Sequence, residues 1–181
     1  MFSVVVSILL TGSVTPILGQ GSAEPPVADP SDVESVDAIV AAVYDVISGP
    51  AGEARDWGRW RTLFIPDARL IALVPGQDGA FRHVVMSPED YIDRSGAALE
   101  EAGFFELEIG RVQEDFGPVV HLFSAYQSKR APDDPEPFAR GVNSFQLMND
   151  GKRWWVVTVF WTSERPDLPI PAKYLTGSGS G

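Results

Sequence analysis

The chain has 181 residues, of which 44% are hydrophobic and 22% are charged, and its formal net charge is -11 at pH 7. This composition is typical of one folded globular domain and excludes a disordered or membrane-embedded chain. The acidic charge disfavours nucleic acid as a partner, because phosphates would be repelled. The absence of cysteine excludes disulfides, thiolate nucleophiles and a lipid anchor on cysteine.

Residues 1–23 carry no charged side chain, and their apolar run gives way to small residues near Ala23. This pattern predicts a signal peptide over 1–23 and therefore a secreted or periplasmic protein. A cytoplasmic protein is the alternative, because no Lys or Arg precedes Arg55 and the usual basic start is missing. The apolar run is shorter than the ~20 residues of a membrane-spanning helix, so we expect no stable membrane insertion.

Three prolines predict an extended linker over residues 24–30, followed by one domain over 31–175. The segment 176–181, which reads TGSGSG, is expected to form a flexible tail or to be a remnant of an expression vector. The segment 163–174 also carries three prolines and is expected to wrap back onto the domain as irregular chain.

Apolar residues recur at three- and four-residue steps from Val33 to Ile47, which predicts an amphipathic helix. Either Ser31 or Asp32 is expected to cap this helix. Two further helices are predicted, a short one over 56–64 and a longer one over 88–102.

Alternating patterns predict a β-hairpin and then four long strands in an antiparallel meander. Glycines in the connecting segment of the hairpin supply the positive φ angles that a tight turn needs. The expected strands are 69–74 and 81–86 in the hairpin, followed by 104–115, 119–130, 138–149 and 153–161.

Two motifs within this order of elements resemble the nuclear-transport-factor-2-like (NTF2-like) superfamily. Residues 56–64 read DWGRWRTLF, similar to the second helix of the superfamily, and residues 150–157 read DGKRWWVV, similar to its last hairpin. The resemblance covers about 32–161 and is to the SnoaL-like (polyketide cyclase-like) and scytalone dehydratase-like branch. It implies an α+β cone, in which a strongly bent antiparallel sheet packs on three N-terminal helices. Because such folds host enzymes, binders and assembly domains, function stays open.

A bent sheet rich in Phe, Trp and Val encloses a concave apolar interior, which is the default site for a small molecule. The residues expected to line this pocket are Trp60, Phe64, Phe123, Phe145 and Trp161. We expect no cofactor. The sheet's outer face is also expected to be apolar, so a second copy of the chain is expected to cover it and form a homodimer.

The acidity of the chain favours a neutral or cationic apolar ligand, because an anion would meet an unfavourable field. An arginine in the pocket lining, such as Arg111 or Arg140, would reverse this preference.

Only two histidines are present, and no cysteine, so we expect no metal site. His121 lies within the apolar strand segment 119–123, where an unpaired imidazole is costly to bury. We interpret it as a hydrogen-bonded residue of the core or dimer interface, with a general base or a hydrogen-bond donor to a ligand as the alternative. His83 is expected at the surface.

Tyr44 and Asp45, near the end of the first helix, resemble a Tyr-Asp pair that positions substrate and water in scytalone dehydratase-like members. Packing of Tyr44 at the edge of the apolar stripe, with Asp45 solvated, is the alternative. Asn143 falls close to a strand position where the dehydratase carries an asparagine and ketosteroid isomerase carries an acid that donates to an oxyanion. An amide donates without titrating, although strand asparagines also commonly bond local backbone.

Glu106 and Glu108 share one face of a predicted strand, because they alternate with apolar residues. Pointing inward they could act as a paired acid and base, but we expect both to point outward into solvent. Where the isomerase carries its carboxylate base, this chain reads LIAL at residues 70–73, so steroid isomerisation is disfavoured.

Three functions are compatible with these patterns. The first is a small-molecule-binding domain of unassigned activity, which the scarcity of ionisable groups in the interior favours. The second is a cofactor-independent lyase, isomerase or hydrolase, with His121 as base, Asn143 as oxyanion donor, and Tyr44 and Asp45 placing substrate or water. The third is a structural dimerisation module, which a filled interior would favour.

Overall fold

A computed structural model describes residues 27–76 and 78–176. The helices are α1 (Pro30–Val33), α2 (Val36–Ile47), α3 (Trp57–Thr62), α4 (Pro88–Tyr91) and α5 (Ala97–Ala102), with a π-helical turn at Ile92–Gly96 and a 3₁₀ turn at Ala172–Tyr174. The strands are β1 (Phe64–Pro75), β2 (Phe81–Met86), β3 (Phe105–Phe116), β4 (Val119–Lys129), β5 (Ala139–Asn149) and β6 (Trp154–Ser163). The predicted signal peptide, the linker up to residue 26 and the tail beyond residue 176 lie outside the described residues. Within those residues, no helix has the length and hydropathy to cross a membrane.

The predicted first helix is divided in two at Ser35. This residue has extended backbone angles, φ -144° and ψ 166°, which interrupt the helical path. Its side chain accepts a hydrogen bond from Ala38 N at 3.0 Å and begins α2, while Asp29 caps α1. The predicted caps, Ser31 and Asp32, are therefore wrong, because the side chains on either side of them provide the capping oxygens.

All six strands form one sheet in the order β2-β1-β6-β5-β4-β3. The predicted hairpin and the antiparallel meander of β3 to β6 are confirmed. One pairing was not predicted: β1 and β6 run parallel, with Leu70 opposite Val159. The sheet curves, because β1, β3, β4, β5 and β6 all contribute side chains to one cavity facing the helices. The predicted α+β fold is confirmed.

One row of the concave face shows how the core is built. Leu70, Val159, Phe145 and Leu122 are neighbours across four adjacent strands, and each is at most 6% exposed. The apolar stripe of α2 belongs to the same buried cluster. Apolar residues repeat with a period of 3.6 in the helix and of 2 in the strands, so each element has one apolar face. These faces are buried against one another.

The Arg55 guanidinium ties together the elements at one end of this core. It is buried and donates hydrogen bonds to the carbonyl groups of Ile47, Gly49 and Leu99, at 3.1, 2.6 and 3.1 Å. A Cβ atom at residue 49 would meet the guanidinium at 2.6 Å, so glycine is needed for this close approach. Arg55 therefore joins the end of α2 to α5.

The convex face of the sheet is apolar but only partly covered. The C-terminal segment wraps back onto β3 and β4, as predicted, and the Tyr174 ring stacks on Phe123 with centroids 5.2 Å apart. On β2 and β6, Val85 and Phe160 remain 51% and 39% exposed. Both face Ile71 of β1, which lies between them in the same row. We therefore expect the predicted homodimer contact on this uncovered half of the face.

The homodimer stays a prediction, and sedimentation velocity of the purified chain tests it. We expect a dimer that Phe160→Glu converts to monomer, because a carboxylate at the centre of an apolar contact would be desolvated without a partner. Phe116→Glu is the matched control, since Phe116 is 87% exposed at the tip of the β3–β4 turn. A monomeric wild-type chain, or a dimer that both variants leave intact, would contradict the predicted contact.

Candidate functional site

A cavity of about 280 Å³ lies between the concave face of the sheet and the helices. This volume is near the lower end of the roughly 300–1,000 Å³ typical of small-molecule sites. Four polar residues without an aromatic ring line it: Ser95, Glu106, Ser128 and Asn143. Its aromatic lining consists of Tyr44, Trp60, Tyr91, Phe104, Tyr126, Phe138, Phe145 and Trp161. The cavity is therefore mainly aromatic, with a few polar groups.

Strand register brings the polar groups together on one side of the cavity. Ser128 lies opposite Glu106 on the neighbouring strand, and Ser124 lies opposite Asn143. All four side chains are on the concave face, where the Tyr44 hydroxyl of α2 hydrogen-bonds Ser124 and Asn143. We name Tyr44, Glu106, Ser128 and Asn143 the polar cluster.

Glu106 is the one Asp or Glu side chain among the described residues that line this cavity, and no Lys, Arg or His is in that lining. Its Oε2 accepts a hydrogen bond from Ser128 Oγ at 2.9 Å, and its Oε1 is 3.5 Å from Asn143 Nδ2. Burial raises the Glu106 pKa to about 7, although these two hydrogen bonds act in the opposite direction. The carboxyl group therefore exchanges a proton near neutral pH.

Tyr44 and Asn143 belong to a directed chain of hydrogen bonds. Asn143 Nδ2 donates to Tyr44 Oη at 3.0 Å, and Ser124 Oγ donates to Glu108 Oε1 at 2.5 Å. The Ser124 hydroxyl proton is thus engaged, so Tyr44 donates to Ser124 across their 2.7 Å contact. Burial, and then the Glu106 charge, raise the Tyr44 pKa well above its usual range. Tyr44 is therefore a neutral hydrogen-bonding group.

The expectation that Glu106 and Glu108 point outward is wrong. Glu106 points into the cavity, and the Glu108 carboxylate forms an ion pair with Arg111 at 2.7 Å. Leu107 between them is 55% exposed instead. The inward direction is tolerated because hydroxyl, amide and guanidinium partners meet the carboxylates there.

The predicted pocket lining is correct for Trp60, Phe145 and Trp161. Phe64 is corrected: it lies behind the lining, where its ring packs on Trp60 with centroids 4.5 Å apart. Phe123 is also corrected, because strand alternation places it on the convex face against Tyr174.

The residues predicted to share a catalytic site do not converge. Tyr44 and Asn143 lie in the cavity, but His121 is on the convex face with Nε2 3.0 Å from Ser144 Oγ. This placement agrees with the interpretation of His121 as a hydrogen-bonded structural residue. Asp45 pairs with Arg59 at 2.5 Å on the exposed side of α2. The predicted combination of His121 as base and Asn143 as donor is therefore not assembled.

Ser124, Ser128 and Tyr126 were not predicted as site residues. They alternate along β4 on the face that also carries Leu122. Hydroxyl groups repeated on an otherwise apolar strand face need buried partners, and this was the signal in the sequence.

Neither arginine considered for the pocket lies in it. Arg111 pairs with Glu108 and Asp37, and Arg140 pairs with Glu164. Within the described part of the chain, no group of three or more His, Asp or Glu side chains is placed to hold a metal ion.

Comparison with solved structures identifies the same architecture in other proteins. A protein of unknown function with a cystatin-like fold from Nostoc punctiforme is 11% identical, with a TM-score of 0.54 over 75% of this chain and 92% of that protein. An NTF2-like protein of unknown function from Silicibacter pomeroyi is 14% identical, with a TM-score of 0.50 over 72% of this chain and 94% of that one. The chain has the NTF2-like fold.

A third protein with a similar structure, of unknown function and from Mycobacterium tuberculosis, is 16% identical, with a TM-score of 0.53 over 79% of this chain and 83% of that protein. No protein-family profile and no curated protein matches the chain. These low identities establish the NTF2-like fold alone, so the SnoaL-like and scytalone dehydratase-like branch stays a prediction.

The free energy of unfolding should depend on pH, because ionising Glu106 inside the cone destabilises the folded protein. The folded protein keeps the Glu106 proton up to a pKa of about 7, whereas the unfolded chain releases it near the usual value of 4.5. Stability from this group is therefore lost as pH rises through this window. As pH rises from about 4 to about 8, we expect the free energy of unfolding of the wild-type chain to fall by about 2 to 3 kcal/mol relative to that of Glu106→Gln, which carries no ionisable group at this position.

Urea unfolding across this pH range measures the difference between the two proteins. Glu101→Gln is the control, because Glu101 is exposed and should follow the wild-type curve. Parallel curves for wild type and Glu106→Gln would show that Glu106 is not held in a dry environment.

Proposed function

We propose that this NTF2-like domain binds a small, mainly apolar molecule in the cone, with the polar group of that molecule at the polar cluster. The observation that carries the proposal is a cavity with aromatic walls and hydrogen-bonding groups gathered on one side. Apolar walls supply affinity through burial, and a few placed polar groups fix orientation.

The size of the cavity argues against a purely structural module. Interior space that no side chain fills forfeits packing contacts along its walls. A purely structural domain would gain those contacts by filling the cavity of about 280 Å³, which is partly open to solvent here. The residues around it include large aromatic rings that could fill the space by a change of rotamer or backbone position. Retention of the cavity favours a ligand.

Catalysis of proton transfer on the bound molecule is a second candidate. Glu106, with a pKa of about 7, both accepts and returns protons at neutral pH, and the Asn143 amide beside it donates a hydrogen bond. Glu106 takes the place given to His121 in the sequence-based hypothesis. Under this candidate, Glu106→Gln abolishes turnover of a substrate while Glu101→Gln keeps it.

A variant that fills the cavity tests the binding function. Val159 lines the cavity and is 6% exposed, so Val159→Trp should occupy the space that a ligand needs. Benzyl alcohol and cyclohexanol serve as probes, and ligand-observed NMR with tryptophan fluorescence measures their binding, because Trp60 and Trp161 lie in the lining. We expect binding to weaken at least ~10-fold in Val159→Trp.

Val85→Trp is the matched control, since Val85 lies on the convex face and is 51% exposed. It should bind both probes like the wild-type chain. Thermal unfolding shows whether each variant is folded. A folded Val159→Trp variant with unchanged binding would place the probes outside the cone and contradict the proposal.

A further inference from the structure

We infer that the cone takes an apolar monoamine, whose ammonium group forms an ion pair with Glu106. This inference rests on the proposed binding function and names the chemical class of the ligand. Three features carry it: a carboxylate whose cavity contains no basic side chain among the described lining residues, electron-rich rings beside that carboxylate, and the acidity of the whole chain.

No described residue of the cavity lining supplies a cation to the Glu106 carboxylate. Its partners are the neutral Ser128 hydroxyl and, at 3.5 Å, the neutral Asn143 amide. The neighbouring Glu108 shows the contrast, because Arg111 contacts both of its oxygens, at 3.0 and 2.7 Å. Buried carboxylates are stabilised by such pairing, and an ionised carboxylate without it is costly. A ligand ammonium would form with Glu106 the kind of ion pair that Arg111 forms with Glu108.

The aromatic walls add a second attraction for a cation. Tyr91 and Tyr126 line the cavity, and the Glu106 charge acts on both of them. Together with burial, which is the larger cause, it raises the Tyr126 pKa to about 12. Both phenols therefore stay neutral. Ring faces of neutral Tyr and Trp attract ammonium groups within about 6 Å.

An amine is favoured over the other ligand classes that fit the volume. A carboxylate or phosphate would meet the Glu106 charge with no basic residue of the described lining to offset it. A neutral alcohol would gain a hydrogen bond to the carboxylate, whereas an ammonium gains a hydrogen bond and also compensates the buried carboxylate charge. The net charge of -11 also attracts cations toward the protein.

Isothermal titration calorimetry with benzylamine, benzyl alcohol and benzoate tests this inference, because the three share one ring and differ in charge. Primary alkylamines stay protonated from about pH 5 to about pH 8, as lysine does. At about pH 8 we expect benzylamine to bind ~10- to 100-fold more tightly than benzyl alcohol, and benzoate to bind most weakly. The preference for benzylamine should fall as pH drops below the Glu106 pKa of about 7.

Glu106→Gln should weaken benzylamine binding at least ~10-fold at about pH 8 and weaken benzyl alcohol binding by a smaller factor, because the glutamine amide still hydrogen-bonds a hydroxyl group. Thermal unfolding shows whether the variant is folded. Glu101→Gln, an exposed control, should bind all three compounds like wild type. The pH dependence of wild-type binding supplies a measurement that needs no variant.

The outcomes separate this inference from the function on which it rests. Benzyl alcohol binding as tightly as benzylamine, with neither affected by Glu106→Gln, would overturn the amine assignment and keep the apolar site. Tighter binding of a neutral ketone such as acetophenone than of benzylamine would also overturn it and favour proton-transfer chemistry. Binding of none of these compounds would overturn both the assignment and the binding function.

Discussion

The Tyr44 hydroxyl must be hydrogen-bonded, because it is buried between α2 and the sheet, and the way this requirement is met orients the whole interior. The hydroxyl accepts from Asn143 on β5 and donates to Ser124 on β4, so α2 is fixed in rotation about its axis. That rotation turns the apolar stripe of the helix toward the concave face. It also holds Asn143 in place beside Glu106. Without the hydroxyl, Asn143 would lose its acceptor at 3.0 Å and Ser124 would lose its donor at 2.7 Å, both in a buried environment.

Charge is distributed unequally on either side of this contact. Toward the edge strand, Glu108 is neutralised by Arg111, and toward the end of α2, the Arg55 guanidinium is satisfied by backbone carbonyl groups. Both charged groups therefore have stabilising partners within the protein. Glu106 is the exception, because its hydrogen-bonding partners are neutral. The polar interior is thus a stable scaffold around one carboxyl group that has no charge partner in its cavity lining, which is the arrangement expected where a ligand completes the electrostatics.

The local elements were predictable from the sequence, whereas the long-range pairings were not. The spacing of apolar residues in α2 and the glycines between β1 and β2 act over a few residues, so the sequence records them directly. The parallel pairing of β1 with β6 joins Leu70 to Val159, and no local pattern encodes it. The same contrast between local patterns and long-range contacts applies to the candidate site. Alternation placed Glu106 and Glu108 on one strand face, but the apolar Phe105 and Leu107 on the other face favoured an outward orientation of the two carboxylates, which was wrong. His121 was ambiguous, since both faces of β4 carry apolar side chains.

The π-helical turn at Ile92–Gly96 divides the helical wall of the cavity, with Tyr91 before it, Ser95 within it and Leu99 after it. A turn closed by i to i+5 hydrogen bonds contains one more residue than an α-helical turn, and the flanking helices keep the faces that an unbroken helix would give them. Loss of one residue in evolution at this turn would leave Tyr91 and Leu99 facing the cavity. The same loss within α2 would rotate everything after it by about 100°. The described helices therefore contain a position at which one residue can be lost without turning Tyr91 or Leu99 away from the cavity.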